Sequence, residues 1–494
     1  MAEDQKAARL QKLESLREAG VPVYPERYER THTLKEAMSL AEGTQGVRLA
    51  GRLVALRSFG KLTFGHLQDL EGRLQVAFER QTLGEELYAL FTKHIDIGDF
   101  ISAEGEIFRT RTGELTLRAE RFTFLGKAIR PLPEKWHGLT DIEACYRQRY
   151  LDLIMSPETR KRFLMRTRLV KAIRDYLDAH GFLEVETPTL LAKASGALAR
   201  PFVSHHQALD MEVFLRIAPE TYLKRLVAGG YDRVYEFARC FRNEGVSAQH
   251  LQDFTMLEYY CAYWNFEDNM KFTQEMLQQS VQQTLGTTKF TFRQNKIDLA
   301  GDWTRVSFRD LLMKDADLDI NRFPEAGGLL KEIRRRKISI EAEEPQKLGR
   351  ASLIDAIYKA TSRPKLVQPT FLTGHPIEIS PLARSNDRDP KIVDRFQLVI
   401  SGWEILNAYS ELVDPAEQRR RLEEQARSRA EGDEEAMVME EDYLLAMEHG
   451  LPPISGWGMG IDRLVALLAG EENVKQVVWF PLLRPQPAGL DPRD

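Results

Sequence analysis

The chain has 494 residues, 69 Lys and Arg against 74 Asp and Glu for a formal charge of −5, and an apolar content of 43% with 29% charged residues. That length suggests about two to four domains, the ordinary apolar content argues against a disordered or fibrous chain, and the balanced charge rules out a global basic field, so any nucleic-acid contact must come from local patches. No long apolar run argues for a membrane span, Met1 to Lys6 carry no apolar signal-peptide core, and Cys145, Cys240 and Cys261 form no Cys-x-x-Cys pair, which together lead to the expectation of a cytoplasmic protein.

In chain order, Leu10, Leu13 and Leu16 recur at helical spacing until Gly20 and Pro22 stop the pattern. This predicts a short amphipathic helix that docks on the protein, with RNA contact as the alternative. From Val47 to Leu125 five alternating segments predict strands, with a helical stretch from Leu83 to His94 between the third and fourth. Such an order predicts a five-stranded Greek-key barrel of the OB type, a fold that serves oligonucleotide, sugar and protein binders alike. On it Phe64 offers a stacking ring, and Gln75 and Glu114 offer polar edges able to read a base; Phe64 reads also as a core side chain. Arg130 to Trp136, with two prolines, predicts a linker.

Arg160 to His180 predicts a long helix stopped by Gly181, followed by a short strand that ends at Pro188. Gly196 sits in the small-residue segment Ala194 to Ala199, where backbone can approach a ligand closely. Phe214 to Leu226 passes from strand into helix with Glu220 near the helix start, where a carboxylate complements the dipole. Val234 to Tyr260 reads as two strands around a polar loop, Arg242 to Gln252. Arg242 and Glu244, two apart, are expected on one strand face, and so are Glu258 and Tyr260. A face carrying these groups is costly to bury, which predicts a polar ligand against it; a surface hairpin with a cross-strand ion pair is the plainer reading.

Residues 270–370 predict mainly helical packing, and the basic run Lys331 to Ile338 a solvated face. In Phe396 to Leu412 the polar positions are Gln397, Glu404, Asn407, Tyr409 and Glu411, the last three alternating to one face. A charged helix is expected from Asp414 to about Arg429. Gly456, Gly458 and Gly460 then precede a helix containing Arg463. No strand-forming run leads into these glycines, which argues against a dinucleotide-binding turn, and no Walker loop occurs.

The string Phe241-Arg-Asn-Glu-Gly245, with His250, Phe254 to Met256 and Glu258, resembles motif 2 of the class II aminoacyl-tRNA synthetases, most closely the lysyl-tRNA synthetase branch of subclass IIb. Phe182 to Pro188 resembles motif 1 and Ser455 to Leu468 motif 3, in the family's order, and the likeness runs from about Val47 to Pro485. The resemblance implies an α+β chain: a helical segment at 1–46, an OB-type anticodon-binding barrel at 47–128, a hinge at 129–155, and a catalytic domain at 156–494 with an antiparallel sheet flanked by helices. It implies a homodimer formed through motif 1, and a ligase that joins lysine to tRNA(Lys) through lysyl-adenylate, using ATP with Mg²⁺.

By the same resemblance, Arg242 would hold the lysine carboxylate and the α-phosphate, and Arg463 the γ-phosphate. Glu220 would take the α-amino group, with Gly196, Asn407 and Tyr409 also in the lysine site. Glu258, Tyr260 and Glu411 would form an acidic pocket for the side-chain ammonium, where an aspartate enzyme would want a cation. Glu244, His250, Phe254 and Glu404 would belong to the ATP site, and Phe64, Gln75 and Glu114 would read the anticodon. The chain departs from the family at Gln397, where a second metal-binding carboxylate is usual besides Glu404, and at Trp403, where the family often has Arg. Two alternatives stand: a paralog that lysylates a protein, which would lack the barrel, and a non-catalytic binding paralog, which would have lost the motif Arg or Glu residues.

Overall fold

The structure, a computed structural model, describes residues 2–133, 141–193, 199–341, 344–430 and 439–485, and the chain divides into two compact units, 1–160 and 161–494. In the first unit, strands β1 (Val47–Phe59), β2 (Leu62–Gln68), β3 (Arg73–Glu79), β4 (Phe100–Arg109) and β5 (Leu115–Gly126) close a barrel in the order β1-β2-β3-β5-β4. Period-2 alternation decides which side chains fill it: β2 buries Thr63, Gly65 and Leu67 and leaves Phe64 and His66 half-exposed. Phe64 is therefore on the outer face.

Helix α1 (Ala2–Glu18) docks as expected from its leucines, burying Leu13 and Leu16 in the barrel's core cluster while Lys12 Nζ meets Asp96 Oδ1 at 2.6 Å. Helix α2 (Glu85–His94) sends Phe91 to stack on Phe78, centroids 4.0 Å apart, and to meet Phe122 edge-on. Burying one such ring contributes about 1.5–3 kcal/mol.

The second unit is built on an eight-stranded sheet: β6 (Leu183–Glu184), β7 (Arg233–Phe241), β8 (Asp253–Ala262), β9 (Thr304–Ser307), β10 (Thr370–Pro376), β11 (Ile392–Ile400), β12 (Trp403–Ser410) and β13 (Ile454–Gly460), in the order β9-β10-β11-β12-β13-β8-β7-β6. The inner pairings are antiparallel, and the two edge pairings, β6 on β7 and β9 on β10, are parallel, so the sheet is mixed. Parallel pairs need long crossovers, and both edge strands join their neighbours through such connections. Residues 270–370 are mainly helical, as expected, but a hairpin, Lys289–Phe292 with Asn295–Asp298, and strands β9 and the start of β10 also lie in them. Short strands bounded by loops leave little periodicity to read.

Helix α3 (Pro157–Ala179) precedes β6, and α4 (Glu220–Ala228) follows a small sheet of Leu190–Leu191, Met211–Leu215 and Val203–His206. Helices α5 (Phe266–Leu285) and α6 (Ile461–Ala469) cover one sheet face, where Leu257, Tyr259, Trp457 and Met459 join Phe272, Met276, Leu464 and Leu467 in the core. Because side chains alternate, Glu258, Tyr260 and Gly458 point to the other face. A capping box of Asn265 with Asp268 starts α5, and Gly286 in the left-handed region (φ 74°) ends it.

Candidate active site

The uncovered face of β8, β12 and β13 floors a cavity of about 350 Å³, walled by the start of α4, the 242–252 loop and the first turn of α6. Glu220, Glu258, Tyr260, Asn407 and Tyr409 line it, and so do Arg242, Glu244, His250, Phe254, Glu404 and Arg463. Glu411, one residue past β12, is buried beside it. Gly196 lies outside the described residues.

The acidic part is a closed network. Tyr409 Oη donates to Glu220 Oε1 at 2.7 Å, and Tyr260 Oη donates to Glu258 Oε2 at 3.2 Å. Lys224, one helical turn after Glu220, is wholly buried with its Nζ 2.6 Å from Glu220 Oε1 and 2.5 Å from Glu411 Oε2. Burial alone would lower the pKa of that ammonium, yet Glu220 and Glu411 hold it well above its usual value. Glu258 has no cation at salt-bridge distance among the described residues; burial and then the charge of Glu220 raise it to about 8. Burial also raises Glu411 and keeps Tyr260 and Tyr409 protonated as donors.

Gly456 makes this network possible. A Cβ there would collide with Glu411 Oε1 and the Tyr260 ring, so only glycine lets both approach the β13 backbone. The glycines precede a helix, as expected, but they stand in a strand where no strand-forming run was read: Gly456, Gly458 and Gly460 are alternate residues of β13 itself, which runs directly into α6.

The basic part gathers around Arg242 and Arg463. Strand β7 ends at Phe241, which corrects the expectation of Arg242 and Glu244 on one strand face: both lie in the loop. The Arg242 amide still pairs with Gln252 O at 2.9 Å, but the Asn243 amide turns aside to Arg200 O at 2.8 Å and the ladder stops. The Arg242 guanidinium lies over the Phe254 ring, 5.2 Å from its centroid. Arg463 donates to Gln249 O at 3.2 Å and to Glu404 O at 3.1 Å, and burial lowers its pKa. Burial and the charges of Arg463, Arg363 and Arg242 pull His250 down to about 4, so its ring is neutral at pH 7 and bonds Ser247 Oγ through Nδ1 at 2.7 Å. Arg242 acts electrostatically on both His250 and Glu258 and so belongs to both parts.

Phe396 to Leu412 forms a hairpin, β11 and β12, turned at Ser401 and Gly402 with φ of 49° and 73°, the left-handed pair that two-residue turns favour. Gln397 pairs with Asn407 in register, is buried, and contacts the buried His375 ring rather than the cavity wall. Among the described residues no cluster of three His, Cys, Asp or Glu fit for a metal occurs. Glu404, the metal ligand that the resemblance implies, is on the cavity wall, a hard oxygen donor of the kind that suits a Mg²⁺ retaining phosphate and water ligands.

Three participants escaped the sequence reading. Lys224 stands four residues after Glu220, a helical neighbour visible in principle. Arg395, whose Nε donates to Asn407 Oδ1 at 2.7 Å, is two residues before Gln397 on the same face. On the barrel, His66 Nε2 lies 3.4 Å from Glu114 Oε1 and opposite Gln75, whose amide donates to Thr116 Oγ1 at 2.9 Å. Phe64 sits two residues from His66 on the same face, edge-on to the exposed Phe59 at 6.2 Å.

Comparison with known proteins adds the following. Residues 141–484 match the tRNA synthetases class II (D, K and N), and residues 47–125 match the OB-fold nucleic acid binding domain. The chain is 46% identical over 486 residues to a lysine–tRNA ligase of Moorella thermoacetica, covering 98% of each. It is 45% identical to one of Pelotomaculum thermopropionicum, covering 97% of this chain and 94% of that one. A lysine–tRNA ligase of Aquifex aeolicus is 44% identical over 93% of this chain and 77% of its own.

Proposed function

The chain belongs to the class II tRNA synthetases of the D, K and N group, and on that premise we propose that it is a lysine–tRNA ligase. The observation that carries the choice of lysine is Glu258: a buried carboxyl group, hydrogen-bonded by Tyr260, with no cation at salt-bridge distance among the described residues, open to the cavity beside Glu220 and Glu411. Such a group waits for a positive charge. An aspartate or asparagine side chain would bring none.

In this reading the ε-ammonium of lysine meets Glu258, Tyr260 and Glu411, and the α-amino group meets Glu220 with Tyr409 and Asn407 alongside. Gly196 belongs to the same site. Arg242 holds the α-carboxylate against the α-phosphate of ATP, and Arg463 the γ-phosphate. A carboxylate oxygen then attacks the α-phosphorus, the bond to the bridging oxygen breaks, and pyrophosphate leaves. The 3′-terminal ribose hydroxyl of tRNA(Lys) next attacks the acyl carbon and AMP leaves. No general base is needed for the first step, because the nucleophile is already ionised; positioning and charge neutralisation do the work. Glu244, His250 and Phe254 complete the nucleotide side, His250 as a neutral hydrogen-bonding group. Glu404 would hold Mg²⁺, which would supply charge neutralisation on the phosphates.

Phe64, Glu114 and His66, exposed or half-exposed on the barrel, with Gln75 buried opposite His66, are the anticodon contacts in this reading. The barrel also favours tRNA over a protein as acyl acceptor, and Arg242, Glu244 and Arg463 argue against a non-catalytic paralog. Exposed Leu183 on the short motif 1 strand, with exposed Leu190 and Val203 on the small three-stranded sheet that follows it in sequence, supports a homodimer through the motif 1 region, which light scattering would test. No helix among the described residues is long and apolar enough to cross a membrane. The deciding experiment is ATP–pyrophosphate exchange with each of the twenty amino acids: lysine alone stimulates it, and equal stimulation by aspartate would refute the reading.

A further inference from the structure

Three carboxylates, Glu220, Glu258 and Glu411, share one buried volume with a single ammonium, Lys224. Lys224 does not line the cavity; it lies behind the wall, within reach of two of the three carboxylates. The rings of Tyr260 on β8, Tyr409 on β12 and Tyr443 on the helix Glu441–Glu448 surround it, their centroids 5.8, 5.7 and 5.7 Å from its Nζ. Glu440 stands close by, its Oε1 3.4 Å from Thr221 Oγ1. Faces of aromatic rings favour a cation and give it no freedom to leave. The ammonium is therefore a fixed internal charge, tying the start of α4 to the residue after β12.

We propose that Lys224 is a positioning and charge-balancing residue of the lysine site: it holds Glu220 and Glu411 in place and, once lysine enters and all three carboxylates ionise, cancels one of their charges and leaves the two that a substrate with two ammonium groups neutralises. The proposal rests on the lysine reading above. It also explains why two carboxylates are paired in advance and Glu258 is not: the internal cation is shared by Glu220 and Glu411, and the substrate's side-chain ammonium completes the set at Glu258.

Without Lys224, ionising all three carboxylates would leave one negative charge in the lysine-bound pocket uncompensated, so they hold their protons more tightly than in the wild type. Those protons compete with lysine, so the defect must depend on pH. The test is lysine-dependent pyrophosphate exchange by wild type, Lys224→Met and the double variant Lys224→Met/Glu411→Gln between pH 6.5 and 9.5, with melting temperatures as a check on folding. In Lys224→Met the KM for lysine rises at least about tenfold at pH 7, the equivalent of one displaced pKa unit, and recovers as the pH is raised, while the KM for ATP is unmoved. The double variant, which returns the count to two negative charges, still binds lysine weakly but loses the added pH dependence.

A wild type that lysine does not stimulate sinks the ligase reading and the proposal with it. A lysine-active wild type with an unchanged KM in Lys224→Met, or a rise in KM that is the same at every pH, overturns the proposal alone. If Lys224→Met does not fold, the double variant decides: it folds under charge balance, and its failure to fold would make Lys224 a structural strut and nothing more.

Discussion

Glu258 shows how one side chain exchanges stability for binding. Its carboxyl, raised to about 8 by burial and by Glu220, keeps its proton in the folded state at pH values where the unfolded chain has lost it. The unfolded state therefore binds fewer protons between the ordinary glutamate value of 4.5 and about 8, and the group's contribution to stability falls as pH rises through that window. Glu258→Gln removes the decline. Denaturant unfolding should show the variant more stable than wild type at pH 9, by about 2–4 kcal/mol, and close to it at pH 4, while lysine-dependent exchange is lost. Equal stability at both pH values would mean that Glu258 is not desolvated. Gly456 tests the same pocket by shape. Gly456→Ala drives a methyl into Glu411 and the Tyr260 ring, and overpacking of about 1–3 kcal/mol should raise the KM for lysine by roughly 5- to 150-fold. The KM for ATP should stay within about twofold, because the collision is confined to the acidic network.

At the scale of elements, the hairpin of β11 and β12 carries the most information. Glu404 and Asn407 are three residues apart, and in a regular strand they would point to opposite faces. The register shifts between Leu398 and Val399, and this irregularity lets both line the cavity. Gln397, opposite Asn407, shares that side of the hairpin but is covered and engaged with His375. Gln397→Glu adds a second carboxylate near Glu404 and should lower the Mg²⁺ concentration that gives half-maximal adenylation, whereas Glu404→Gln should raise it. A Mg²⁺ titration of Gln397→Glu that superimposes on wild type would assign Gln397 to packing alone. Trp403, where the resembled family often has Arg, is fully buried against Phe292, with centroids 5.1 Å apart, and serves the core behind the sheet.

At the scale of the whole molecule, the two units separate two kinds of recognition. The barrel carries Phe64 on its outer face and a core of its own, and the active-site cavity is formed within residues 161–494. Phe64→Ala should therefore weaken tRNA charging by about 1–3 kcal/mol of lost base stacking and leave tRNA-independent pyrophosphate exchange unchanged. Its half-exposed position predicts an unaltered melting temperature as well. Damage to both activities would return Phe64 to the core.

Local pattern was enough to mark the barrel strands, the docking helix α1 and the paired polar positions of β8, because alternation and helical spacing are properties of neighbours in sequence. Tertiary structure decided the rest. Nothing local shows that β7 stops one residue before Arg242, that an irregular register turns Glu404 toward Asn407, or that three glycines belong to a strand. Each depends on which strand lies alongside. The same holds for Lys224, an unmarked residue of an amphipathic helix whose role exists only because Glu411, 187 positions later, comes within 2.5 Å. Sequence specifies which groups are available, and burial among distant partners sets their charge, because desolvation and Coulomb attraction act through space and not along the chain.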